Sequence, residues 1–155
     1  MIGVNTGIMV RTAVLVALAV VVQQIKVQWL AGPAVNALLI IATGYNGLWS
    51  GLLLGCLTPF LAFLAGIMPL VAVLPVIAAG NSILCISYHL LKKRNALLAL
   101  AIGALLKFAL MAAAVNYLIQ VPPPVAKALS LPQLATAVTG GLVGMLVLRY
   151  LPQNH

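Results

Sequence analysis

The sequence predicts an all-α, polytopic membrane protein: six transmembrane helices in one compact bundle, a single domain over residues 1–155, with the N and C termini cytoplasmic. Three observations predict it. Composition is 65% hydrophobic and 5% charged, with mean hydropathy +1.23, against about 25% charged residues in soluble domains. The 155 residues divide into six apolar runs separated by Gly, Pro and polar breaks, and a bilayer core of about 30 Å needs roughly 20 residues per helix. The basic residues gather at the ends of those runs.

The first run, residues 10–30, opens beside Arg11 and closes in the polar stretch Gln23, Gln24, Lys26, Gln28, with Trp29 as an interfacial anchor. Ala17 and Ala19 would also suit a signal-peptide cleavage site, but the equally apolar remainder needs a first span to set its orientation. Gly32 and Pro33 signal the start of the second run, residues 33–45, which ends in the turn cluster Gly44, Tyr45, Asn46, Gly47. That run is short, reaching about 18 Å at roughly 1.5 Å per residue, so a tilted helix, a re-entrant segment and a helix continuing through the turn all fit it. The third run, residues 47–65, ends at Gly66, Met68 and Pro69. The fourth, residues 69–91, carries Pro75 and Gly80-Asn81 inside it and stops at Lys92-Lys93-Arg94. The fifth, residues 95–119, precedes a loop in which Pro122, Pro123 and Pro124 predict a stiff extended stretch. The sixth, residues 132–151, ends at Arg149, Pro152 and the tail Gln153, Asn154, His155.

Charge decides the short run. Cytoplasmic loops carry excess Lys and Arg, and the triplet at 92–94 is the strongest cluster in the chain. If all six runs cross, Arg11, the triplet and Arg149, five of the eight cations, share the cytoplasmic side and only Lys26 and Lys127 lie outside. A five-span reading moves Arg11 outward and weakens that asymmetry. Small residues recur four apart, at Gly47, Gly51 and Gly55, at Gly140 and Gly144, and at Ala13 and Ala17. Such spacing lets helices touch closely in lipid. The glycines suit internal packing, whereas Ala13 and Ala17 could show a small face to another protein.

The count of zero Asp and Glu excludes a Ser-His-Asp triad, carboxylate acid–base chemistry, calcium or magnesium sites and carboxylate proton relays. There is no GxxxxGK[ST] phosphate loop, so ATP hydrolysis by that route is absent and the chain is expected not to be an enzyme. Ser82, Cys85 and His89 share a helical face, yet nothing acidic orients the imidazole. Cys56 and Cys85 lie in apolar runs without a CxxC pattern, and no metal or intrinsic cofactor is expected. Charge clustered at run ends, without interleaved aromatics, argues against nucleic acid.

Lys107 stands apart, about 18 Å into the fifth run and so near the bilayer centre. A charged lysine there costs roughly 2.5–3.5 kcal/mol on insertion scales, and no carboxylate in the chain can pair with it. It can snorkel, carry a neutral amine, meet an anion on another subunit, or meet an anionic ligand. Orientation accounts for the other cations, so the partner of Lys107 is expected from outside the chain. Asn36, Thr43, Ser50, Thr58, Asn81, Ser82, Asn116, Gln133, Thr136 and Thr139 are uncharged polar groups in the runs, and any one of them serves equally as an interhelical hydrogen bond. Asn81, Gln133, Thr136 and Thr139 could converge with Lys107 on one polar cavity.

The order of features resembles the substrate-binding S components of energy-coupling factor (ECF) transporters, the vitamin-uptake relatives of ABC transporters. The likeness rests on Ala13-x-x-x-Ala17, the stretch GPAVNALLIIATGYNGLWSGLLLGCLTPFLAFLAGI at 32–67, PVIAAGN at 75–81, and Lys107 ahead of VPPPVAKALSLPQL. The resemblance implies a six-helix bundle that captures a micronutrient near its outer face, docks through Ala13 and Ala17 onto a transmembrane T subunit driven by two ATPase subunits, and works in a prokaryotic cytoplasmic membrane. Lys107, Asn81, Gln133, Thr136, Met111 and Trp29 are the candidate substrate-binding residues. An all-cation chain suits an anionic or neutral micronutrient, such as a vitamin or cofactor precursor, better than a cationic one. The alternative is a non-catalytic assembly subunit of a larger membrane complex, with Lys107 paired to a partner's acid and no small molecule bound.

Overall fold

Apolar side chains on nearly every face leave this chain one way to satisfy its backbone in lipid, which is helix. A computed structural model describes residues 6–68 and 70–152. Pro69 and the tail at 153–155, named above as ends of the third and sixth runs, lie outside the described residues. Among the described residues every regular element is helical: α1 (Thr6–Gln23), α2 (Gln28–Ile41) continued by a π-helical segment Ala42–Asn46, α3 (Leu48–Leu64), a 3-10 turn Val71–Val73 leading into α4 (Leu74–Leu91), α5 (Ala96–Ala113) continued by a π-helical segment Ala114–Leu118, a short α6 (Pro123–Ala128), and α7 (Leu131–Tyr150). Four stretches, Thr6–Gln23, Val71–Leu91, Ala96–Leu118 and Pro123–Tyr150, are long and apolar enough to cross a membrane, and Leu48–Leu64 is a shorter apolar helix.

Three boundaries differ from the sequence reading. The first helix stops at Gln23 rather than near residue 30, because Lys26 turns the chain with φ 55°; Gln28 and Trp29 then open α2. The doubtful second segment therefore has 14 α-helical residues plus a 5-residue π continuation through the Gly44–Asn46 turn, about 28 Å at roughly 1.5 Å per residue. Pro33 lies inside this helix, where its missing N–H removes a single backbone bond. The expected extended stretch is instead a proline-started helix, with Pro123 and Pro124 in the first turn of α6, where the lost N–H groups have no intrahelical partner anyway.

The helices form a ring in which neighbours run α1, α2, α7, α5, α4, α3 and back to α1. Glycine makes the α2–α7 seam. A Cβ added at Gly140 would strike the Pro33 carbonyl, and one at Gly144 would lie 2.7 Å from the Ala37 carbonyl. On α3, Gly51 faces Thr43 and Cys85, and Gly55 faces Asn81. Gly47 differs from its ladder partners: it has φ 100°, precedes α3, and a Cβ added to it would meet nothing within 4 Å. Leu39, Ile40, Leu54, Leu84, Cys85 and Leu100 fill the core between these seams.

Polar staples identify the two ends of the bundle. At one end, Lys92 Nζ donates to the carbonyls of Thr43 (3.4 Å) and Gly44 (3.3 Å), and the Arg11 guanidinium lies 4.9 Å from the centre of the Tyr45 ring. Partial burial and adjacent Lys93 hold the Lys92 ammonium below the usual lysine range. Asn95 caps α5 there, its Oδ1 accepting from the backbone N–H of Leu97 and Leu98. At the opposite end, Gln28 Nε2 donates to the Ala128 carbonyl at 2.9 Å, tying α2 to α6.

Candidate functional site

A cavity of about 550 Å³ opens at the Gln28–Ala128 end and reaches inward to Lys107. Its mouth is made by Gln23, Lys26 and Gln28 around the α1–α2 connection, by Gly66, Ile67 and Met68 after α3, and by Leu129 and Gln133 around the start of α7. Asn36, Thr58, Pro59, Asn81 and Lys107 line its deeper part. Asn36, Thr58, Asn81 and Lys107 are each 2% exposed.

Lys107 joins three helices. Its Nζ donates to Asn36 Oδ1 on α2 at 2.7 Å and to Asn81 Oδ1 on α4 at 2.8 Å. Each asparagine is turned that way by its own backbone anchor: Asn36 Nδ2 donates to the Gly32 carbonyl at 2.9 Å, and Asn81 Nδ2 to the Gly55 carbonyl at 3.0 Å. Gly55 can accept because Pro59, four residues on in α3, has no N–H to offer its carbonyl. Gly55 also has no side chain to hold Asn81 away, since a Cβ there would lie 3.0 Å from Asn81 Cβ. A proline on one helix thus frees the carbonyl that orients an asparagine on the next, which in turn presents an oxygen to the lysine.

The expectation that Lys107 finds its partner outside the chain is corrected in one respect. Its hydrogen-bond partners Asn36 and Asn81 are internal. They are neutral, however, so the positive charge has no carboxylate opposite it, and an ammonium has three donors, of which these two bonds use two. Thr58 adds a second unfilled group. Its Oγ1 is buried without a hydrogen-bond partner, whereas Thr12, Thr43, Ser82, Ser130 and Thr139 each donate to the carbonyl four residues back.

Of the residues named from sequence, the cavity brings together Lys107, Asn81 and Gln133. Thr136 is buried beside it, donating to the Gln133 carbonyl at 3.2 Å and packing against Gly32. Met111 sits in an apolar cluster with Val73, Val115 and Leu129. Trp29 is 62% exposed on the outside of α2. Helical phase explains these placements: residues 107 and 111 share a face of α5, but 111 is a turn nearer the cavity end and meets the α4 entry turn instead. Ala13 and Ala17 are exposed on α1, whose buried residues are Thr12 and Ala19. Ser82 bonds to the Ala78 carbonyl and His89 Nδ1 has no hydrogen-bond partner, so that trio makes no catalytic arrangement. Sequence reasoning did not select Asn36, Thr58 or Pro59 for the site; the adjacency of Thr58 and Pro59 in an apolar run was the available signal.

A family model described as ECF transporter, substrate-specific component, matches residues 8–151. The chain belongs to this family. No curated protein and no solved structure matches it. As an ECF S component it is a membrane helical bundle and the substrate-binding subunit of a transporter rather than a catalyst.

Proposed function

We propose that this S component captures a small anionic or neutral micronutrient at the outer face of a prokaryotic cytoplasmic membrane. It then delivers the ligand to a T subunit driven by two ATPases. All six long helices cross, and both termini lie inside. The observation that carries the reading is the deep placement of Lys107 at the inner part of a cavity whose walls contain no acid. Arg11, the 92–94 triplet and Arg149 belong to the end opposite the cavity mouth, and the positive-inside rule makes that end cytoplasmic. The cavity then opens outward. Exposed Ala13 and Ala17 on sparsely packed α1 suit docking of a second membrane subunit through small residues. The assembly-subunit alternative would need a partner's acid to thread the length of the cavity to a side chain 2% exposed, whereas a small molecule suits a space of about 550 Å³.

The test is direct. The chain purified in mild detergent should carry a stoichiometric small metabolite, identified by mass spectrometry, and Lys107→Met should lose it. A consistently empty protein that binds other membrane subunits tightly would favour the assembly role, and unchanged retention by Lys107→Met would remove Lys107 from the site.

A further inference from the structure

Two polar groups in the deeper part of the cavity remain free to donate: the third N–H of Lys107 and the Thr58 hydroxyl, which is buried without a partner. At the mouth, beside the Lys26 ammonium, Gln23 Nε2 donates to the Ala19 carbonyl and Gln28 Nε2 to the Ala128 carbonyl, both at 2.9 Å, so the Oε1 of each side chain can still accept from a ligand. No Phe, Tyr, Trp or His lines the wall among the described residues. Sites for flat heteroaromatic molecules use aromatic faces for stacking, and this one offers aliphatic and amide surface.

Resting on the capture reading above, we propose that the ligand is a small aliphatic carboxylate bearing hydroxyl or amide N–H groups, bound carboxylate first, and that Thr58 is a specificity-determining residue that donates to it beside Lys107. The carboxylate accepts from the two inner donors. The ligand's own donors face the glutamine oxygens at the mouth. Exposed Lys26 at the entrance adds positive potential that draws an anion in. The orphaned hydroxyl follows from this arrangement: Thr58 forgoes the backbone bond that other hydroxyls in the bundle make, and its partner is the ligand.

The experiment uses the full-length protein in detergent, first freed of its co-purified ligand by exhaustive washing, with a deproteinised cell extract as probe. Half of the extract is first treated to cap its carboxylic acids as N-methylamides. Compounds retained after washing are released and identified by mass spectrometry. The wild type should retain a non-aromatic carboxylic acid from untreated extract and none of its capped form. Thr58→Val should retain about tenfold less, the worth of one charge-assisted hydrogen bond, while melting no lower without ligand than the wild type does. Thr58→Ser should stay within about threefold of wild type. Thr58→Ala serves the same comparison if the valine variant does not fold. A retained compound with an aromatic ring, equal retention from the capped extract, or wild-type retention by Thr58→Val overturns this proposal and leaves the capture reading standing. Retention of nothing from either extract overturns both.

Discussion

Helix α2 contributes to two seams, and they solve opposite problems. Toward α7 it meets Gly140 and Gly144, whose missing side chains let the Pro33 and Ala37 carbonyls come into contact with the facing helix. Toward α4 and α5 it meets Asn81 and Lys107 through Asn36. In lipid no hydrophobic force favours helix against helix, so the first seam is held by close van der Waals packing and the second by hydrogen bonds among groups that hydrocarbon would leave unsatisfied. The glycine seam closes the bundle. The polar seam keeps an interior space beside it, because side chains of that length and hydration cannot interlock as glycine and backbone do. Placing the two on one helix makes α2 both a close-packed wall and part of the cavity lining.

The largest effect is expected from Lys107→Met, which removes the charge at the centre of the polar seam. Ligand affinity should fall about a hundredfold or more, read by equilibrium binding of the co-purifying metabolite. The fold should survive, since methionine matches the lysine stem and the change removes a buried charge, which offsets the donor lost to the Asn36 and Asn81 oxygens. The matching attack on the other seam is Gly140→Leu. Its side chain meets backbone that has no rotamer to move, so stability should drop by about 2 kcal/mol, or about 5 °C in melting temperature in detergent. Equal melting of wild type and variant would show that α2 and α7 do not approach closely at Gly140.

A subtler cut separates positioning from contact. Asn36→Ala leaves Lys107 with Asn81 alone, and ligand affinity should fall about tenfold; if affinity is unchanged, the α2 arm of the polar seam is dispensable. Lys92→Met provides the smallest expected effect. Its bonds to the Thr43 and Gly44 carbonyls are 3.4 and 3.3 Å long and half-exposed, so stability should change by under about 1 kcal/mol with ligand affinity intact. The contrast between two lysines that both reach helix-borne oxygens then measures depth itself: the same side chain matters little at the end of the bundle and greatly at its centre.

Much of the fold could be read along the chain because the signals are local. Apolar runs, Gly and Pro breaks and the 92–94 triplet mark the long helices without reference to any neighbour. The misread places are those where a local signal was overridden. Pro33, read as a helix start, lies inside α2 because Lys26 adopts the left-handed turn and frees Gln28 to begin the helix earlier. Pro123 and Pro124, read as extended, start α6, since Leu129 packs into the cluster around Met111 and Gln28 holds the Ala128 carbonyl. In the candidate site, the burial of Lys107 was legible from its depth in the run. Asn36 and Thr58 were not, because one was a common interhelical bonding residue and the other's distinction is a bond it fails to make.

Sequence by itself determined that this chain lives in a membrane, that its helices are apolar on most faces, and that any fixed charge it buries is positive, because composition sets transfer energies residue by residue. It also determined that Lys107 would be costly wherever it went. Only the tertiary structure decided who shares that cost. Asn36 is 71 residues from Lys107 and Asn81 is 26 residues away, and Pro59 acts on the lysine through Gly55 and Asn81 without touching it. Such partners are chosen by which helix faces meet, and that depends on packing all of the helices at once.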